Sequence, residues 1–309
     1  MTHSGRSARP QAKDPIFCNL MVNREGVDLA TANNKGLEAT VELRSTRALD
    51  GIELQYGVVG KGPPVVMLHG ILSSRSVFSR QFPALAGDYR IILPSARGHD
   101  STDATLPSDY GIDTSEVRDV VSVLEAEGLE RIRLIGHSSG GAVAYSFARK
   151  FPELVERLVL IEPTLLNLLT EKDLRPFTSI IGKGKSDGDM AALRATLELA
   201  GGDAWARLDE ETKSARLDAL GRLAPILVPH WQALLRLTVT PADLQSLSPP
   251  TLLLYGTKSY AFESIIANCW RETRPDLKLI EVEGAGHNLY RERPDIVNPA
   301  LVDFLAGGA

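Results

Sequence analysis

The stretch Arg131–Pro152, RIRLIGHSSGGAVAYSFARKFP, decides the fold. Its first half is a short apolar run and its second a helix-like run ending before Pro152. Gly136-x-Ser138-x-Gly140 lies at the junction. A serine on a tight strand-to-helix turn projects its hydroxyl from the sheet edge, and flanking glycines relieve crowding there. The helix behind it begins with unpaired backbone N–H groups. A lone Gly-x-Ser-x-Gly is an ordinary turn, but the strand–turn–helix setting reads Ser138 as a nucleophile.

Working outward, PPVVMLHG, YRIILPSARG and VERLVLIEPT are continuous apolar runs that suit strands buried on both faces. ATVELRST and IELQYGVVG alternate around LDG and read as an antiparallel pair. SEVRDVVSVLEAEGL places Val117, Val120, Val121 and Leu124 at helical spacing. Late in the chain, PTLLLYGT and LKLIEVEGAGH read as strands around the helix-like YAFESIIANCWRET. A last helix near DIVNPALVDFLA is started or interrupted by Pro299. Strands alternating with helices predict an α/β fold, with a mostly parallel sheet of about eight strands covered on both faces.

The interval from Pro163 to Ser248 breaks this rhythm. MAALRATLELA and LDEETKSARLDALGRLAPILVPHWQALLRL look helical, with Gly-rich IGKGKSDGD and AGGDAW between helices. The expected organisation is an N-terminal tail and extension (1–38), a core (39–162 and 249–309), and a helical cap (163–248).

At 43% hydrophobic and 24% charged, the 309 residues are ordinary for a globular protein, and the net charge of −5 gives no reason to expect nucleic acid or an anionic membrane as partner. No apolar run reaches the length of a membrane span, and no secretory signal is evident, so a cytoplasmic location is expected. The two cysteines, Cys18 and Cys269, form neither a disulfide framework nor a metal-ligand spacing. The oligomeric state is not encoded in any motif, and a homodimer stays open.

Two further pieces complete the chemistry. In MLHGILSS, His69-Gly70 ends a strand ahead of a loop. The Ile71 N–H, with that of Ser139, is positioned to form an oxyanion hole, where such donors stabilise charge developing on a carbonyl oxygen. In VEGAGHNLYRERPD, His287 follows the last strand behind two glycines. A serine needs a general base, and among six histidines only His287 stands where a base from the C-terminal end of the sheet should stand. His3 lies in the tail, His230 in the insertion, and His69, His99 and His137 in or beside other loops.

Together HG, GHSSGG and GAGH resemble the α/β-hydrolase superfamily over residues 40–306, with the insertion where that family carries a helical cap. PSARGHDST resembles a family loop that usually reads aspartate-x-arginine-glycine, with Ser95 replacing the aspartate. The family normally supplies its acid after the penultimate strand, which here reads GTKS and offers the uncharged Ser259. Glu263 lies four residues on, where the dipole of a first helical turn also explains a carboxylate. Glu162 ends a buried strand, where a carboxylate must be paired or solvated. Some members of the superfamily place the acid at this position. Glu162 is therefore the expected acid and Glu263 the alternative; a salt bridge anchoring the insertion is the competing structural reading of Glu162. Ser138-Ser139-Gly140, Glu162-Pro163-Thr164 and Gly286-His287 are similar to the motifs of fungal zearalenone lactonases. Here the leucine between Glu and Pro is missing, and His137 replaces their cysteine.

The expected reaction is hydrolysis of a small-molecule apolar ester or lactone, macrocyclic lactones such as zearalenone included, through an acyl-enzyme, with no metal or organic cofactor. Trp231, Leu165 and Leu166, together with His137, are candidate substrate-binding residues, with Trp205 and Leu169 nearby in the insertion. Core packing is the competing reading for each apolar one. Carbon–carbon bond hydrolysis on the same residues, and a non-enzymatic receptor of the same fold, are the alternatives.

Overall fold

A computed structural model describes residues 41–307, apart from 101, 103 and 105. The expected tail and extension at 1–38, including Cys18, lie outside the described residues.

Among the described residues eight strands form one sheet: β1 (Glu42–Arg47), β2 (Glu53–Val59), β3 (Pro64–Leu68), β4 (Arg90–Pro94), β5 (Ile132–His137), β6 (Val155–Ile161), β7 (Thr251–Gly256) and β8 (Lys278–Val282). Their spatial order is β1-β2-β4-β3-β5-β6-β7-β8. β2 runs antiparallel to both neighbours, and the remaining pairs are parallel. Successive side chains alternate between two hydrophobic layers, as strand geometry requires. In β6, Leu158 and Leu160 enter one layer, while Val159 and Ile161 enter the other.

The helices are α1 (Phe82–Leu85), α2 (Val117–Ala126), α3 (Ser139–Lys150), α4 (Glu171–Asp187), α5 (Asp189–Ala206), α6 (Glu210–Leu220), α7 (Ala224–Arg236), α8 (Pro241–Gln245), α9 (Ala261–Thr273), α10 (Leu289–Glu292) and α11 (Pro294–Ala306). α1 and α11 cover one face, α2 and α3 the other. β3 leads away to β4, whereas β5 leads in the opposite direction to β6. Adjacent β3 and β5 thus form a topological switch point, and an open crevice lies beyond their C-terminal ends. The register Leu68↔Gly136 brings the His69-Gly70 and Ser138 turns together there.

Three local expectations are corrected. IGKGKSDGD is not an interhelical loop: α4 runs through it to Asp187, and the break comes at Gly188, with φ 90°. A Cβ on Gly184 would lie 2.3 Å from Val228 Cγ2, so this glycine permits close packing of α4 on α7. AGGDAW likewise belongs to α5 and marks a kink at Gly202, with φ 47°. α11 starts at Pro294 and continues through Pro299.

Candidate active site

Ser138 sits between β5 and α3 with φ 56° and ψ −124°, a conformation sparsely populated for a residue with a side chain. The strain is held by the surrounding backbone. Ser138 N–H donates to Ile161 O at 3.0 Å, and Ser138 O accepts from Gly141 N–H at 2.9 Å and Thr164 N–H at 3.0 Å. The flanking glycines have a steric cause. A Cβ on Gly140 would lie 2.4 Å from Leu68 O, and one on Gly136 would lie 2.4 Å from Gly140 O.

The loop at Ser259 faces a carboxylate that comes from the end of β6. Glu162 follows Ile161 with φ 45° and is 1% exposed. Its Oε1 accepts from Gly256 N–H at 2.7 Å, and its Oε2 accepts from Ser259 Oγ at 2.5 Å. Oε2 also faces His287 Nδ1 in a short hydrogen bond. A buried carboxylate is costly unless hydrogen-bonded, and Glu162 has three partners. Ser259 is therefore one of its donors.

Glu263 Oε1 lies 3.8 Å from the same Nδ1, yet this buried atom has no hydrogen-bond partner among the described residues. Burial, and then the charge of Glu162, hold its carboxyl well above the usual range. Ligand atoms of Glu162, Glu263 and His287 fall within 4.8 Å of one another. Both Glu162 oxygens and Nδ1 are already engaged in hydrogen bonds. The cluster therefore suits proton sharing better than cation binding.

The His287 ring lies between Tyr260 and His137, with centroids 4.9 and 4.7 Å away. His137 Nε2 donates to the His287 carbonyl at 3.0 Å, because a carbonyl can only accept. Burial and the neighbouring His287 hold His137 well below the usual histidine range, so it is a neutral brace under the ring. Ser138 Oγ is 3.3 Å from Thr164 Oγ1. Among the described residues no hydrogen bond joins Ser138 to the His287 ring, a looseness common in substrate-free sites. Ile71 N–H donates to Ser139 Oγ at 2.9 Å, and the Ser139 N–H heads α3. Thr164 and Tyr260 escaped the sequence reading; only the Glu-Pro-Thr stretch carried a signal for the former.

A cavity of about 460 Å³ opens onto Ser138, His137 and His287. Leu72, Phe177, Leu199, Trp231 and Phe262 give it an apolar wall, with Arg207 and Lys258 also in its lining. The Trp231 ring is 5.1 Å from Phe177, and its N–H donates to Thr196 Oγ1 at 3.2 Å. The expectation for Leu165 and Leu166 is corrected. Both are fully buried in the hydrophobic layer shared by the sheet and the insertion and are absent from the cavity lining, as are Leu169 and Trp205.

Residues 63–294 match the family described as the alpha/beta hydrolase fold. The chain belongs to that family. Among similar proteins, 2-hydroxy-6-oxo-6-phenylhexa-2,4-dienoate hydrolase of Burkholderia cepacia is 25% identical over 288 residues, covering 85% of this chain and 94% of its own. A hydrolase from Pseudomonas aeruginosa PA01 superposes with TM-score 0.72 at 23% identity, covering 89% of this chain and 100% of the other. The esterase RhEst1 from Rhodococcus sp. ECU1013 gives 0.65 at 24% identity, covering 86% and 99%. These two structures share the fold.

This α/β hydrolase also compensates for Ser95. Ser95 Oγ donates to Asp100 Oδ2 at 2.6 Å and accepts from Arg75 Nη1 at 2.6 Å. Asp100 thus brings a carboxylate to the place where Ser95 lacks one. No helix among the described residues is long and apolar enough to cross a membrane.

Proposed function

We propose that this chain is a serine hydrolase of carboxylic esters or lactones, with Ser138 as nucleophile, His287 as base and Glu162 as acid. The observation that carries the reading is the short hydrogen bond from His287 Nδ1 to the buried Glu162, beside a cavity that opens on Ser138. An imidazole held by a carboxylate on one nitrogen presents the other to a serine hydroxyl. His287 would close on Ser138 as the substrate binds and take its proton. Ser138 Oγ then attacks the carbonyl, and the Ser139 and Ile71 N–H groups receive the oxyanion. The Ile71 N–H must first leave Ser139 Oγ, its present acceptor. The alcohol departs with the proton from His287, and water releases the acid by the reverse sequence.

The apolar wall and the volume of about 460 Å³ favour a bulky apolar substrate, macrocyclic lactones such as zearalenone included. A second reading, hydrolysis of a carbon–carbon bond beside a ketone, is favoured by the likeness to the Burkholderia cepacia enzyme across 85% of this chain. The test is turnover of aryl esters, macrocyclic lactones and vinylogous diketones by native protein and Ser138→Ala. Ester or lactone cleavage that falls about 10³-fold or more in the variant supports the proposal. Cleavage of the diketones alone moves the assignment to the second reading, and undiminished ester cleavage by Ser138→Ala removes the serine from the mechanism.

A further inference from the structure

Glu263 is unexplained by the machinery above. It lies in the first turn of α9, where a carboxylate commonly complements the helix dipole, but such a residue is solvated or bonds the free N–H groups. Here the side chain is 1% exposed, and no backbone N–H donates to it among the described residues. An unpartnered buried carboxyl oxygen is costly. Its Oε1 instead points at His287 Nδ1, 3.8 Å away, where the short bond from Glu162 also ends. The imidazole therefore faces two buried carboxyl groups through one nitrogen.

We propose that Glu263 is a positioning residue, a reserve acid placed to take over His287 Nδ1 whenever Glu162 carries no charge. This rests on the triad reading above and adds a fourth member to it. Two carboxylates this close cannot both stay ionised without strong mutual repulsion, so the pair holds a single negative charge. Glu162, with donors from Gly256 and Ser259, is the better home for that charge. Glu263 has no donor among the described residues, and burial and then the charge of Glu162 favour its protonated form. Removing the charge at Glu162 leaves Glu263, with Oε1 3.8 Å from Nδ1, as the carboxyl able to stabilise an imidazolium.

The titratable groups around Glu263 support this division. Glu162 and His287 face it, and Tyr260 beside them is held well above its ordinary range by burial and then by these carboxyls. Of the other elements packed on α9, β7 contributes Tyr255, engaged by Arg271, and α8 contributes Asp243, engaged by Thr240 and Arg149. The segment Leu166–Leu168 carries no titratable group. Among the described residues no cation is paired with Glu263 besides His287. It will therefore ionise late, and its service as acid will grow with pH.

The experiment is a double-mutant cycle with Glu162→Gln, Glu263→Gln and the double variant, using p-nitrophenyl butyrate from pH 6 to 9.5. In parallel, the His287 Nδ1 proton is followed by NMR, and Ser138→Ala serves as the control. Glu162→Gln is expected to lose about 10²-fold in kcat and the double variant about 10⁴-fold, the cost of losing an acid outright. The rate of Glu162→Gln should climb with pH while the double variant lacks that climb. The Nδ1 proton should return downfield at high pH in Glu162→Gln and not in the double variant. Equal rates, parallel pH profiles and identical spectra for Glu162→Gln and the double variant would overturn the reserve role. Should the double variant fold poorly, Glu162→Gln/Glu263→Met applies the same comparison with an apolar side chain of similar length. If Ser138→Ala keeps the activity, the triad reading fails instead, and the NMR comparison still decides whether Glu263 engages the ring.

Discussion

Ser259 Oγ donates to Glu162 Oε2 at 2.5 Å, joining the loop after β7 to the end of β6. The serine that stands where the family usually carries its late acid thus donates to Glu162, the acid of the proposed triad. A hydrogen bond to a charged group is worth about 1.5–3 kcal/mol, so Ser259→Ala should lower kcat about tenfold. Ser259→Asp should do worse, because a second carboxylate beside Glu162 forces one of the two to take up a proton. Ester turnover by both variants checks this; an Asp variant as active as native protein would show that the acid site is interchangeable.

Much of this arrangement was legible in the sequence because each signal was local. The buried apolar runs of β3 to β7 gave the sheet, and the strained turn needed its two glycines. A glutamate directly after a buried strand needed a partner. What stayed hidden depended on packing across long separations. Ser259 meets Glu162 across 97 positions, and Ile71 meets Ser139 across 68. Gly184 of α4 looked like a loop residue because its reason, the approach of Val228 on α7, lies more than forty positions away. Leu165 and Trp231 are alike in apolarity and share the core, and only the folded chain shows that Trp231 also lines the cavity.

The turn at Ser138 makes a stability prediction. A Cβ at Gly140 meets the backbone oxygens of Leu68 and His69 at 2.4 and 2.5 Å, atoms fixed within and beside β3. Overpacking of this kind costs about 1–3 kcal/mol or more. Gly140→Ala should melt lower and lose activity, as α3 is pushed from the Ile71 turn. Gly182 in α4 is the contrast, since nothing lies within 4 Å of its Cβ position. Gly182→Ala should raise stability by about 0.5–1 kcal/mol through helix propensity. Thermal melts of the pair separate packing from backbone effects.

Stability should also depend on pH through Glu116. It is buried against Tyr110, whose hydroxyl donates to it and also meets His230 Nδ1 at 3.0 Å. Burial, then the charge of Asp119, push its carboxyl up to about 7. The folded protein therefore binds this proton more tightly than the unfolded chain. That contribution is complete below the unfolded value of 4.5 and is lost as pH rises toward about 7. Over this window native protein should lose about 3 kcal/mol relative to Glu116→Gln, which cannot ionise. Urea unfolding of both proteins at pH 4.5 and pH 8 checks the sign; a pH-independent difference would mean that Glu116 is ionised throughout.

Trp231 makes the last prediction, about substrate size. Its indole closes the cavity wall against Phe177 and is anchored by the bond to Thr196 Oγ1. Truncation to alanine would remove about 3–5 kcal/mol of packing and confuse binding with folding. Trp231→Phe keeps an aromatic wall but loses part of the ring area and the anchoring N–H. If the wall holds the acyl or alcohol portion of a bulky ester, KM for an aryl ester or macrocyclic lactone should rise about 3–10-fold, in line with a pocket contact worth about 1 kcal/mol. The change in kcat should be smaller, since the indole is not one of the groups that move the proton. A small acetyl ester, which cannot reach the wall, should show a weaker KM effect. Equal KM increases for small and bulky esters would instead mean that the substitution disturbs the catalytic end of the cavity, and the wall would lose its role in selecting substrate.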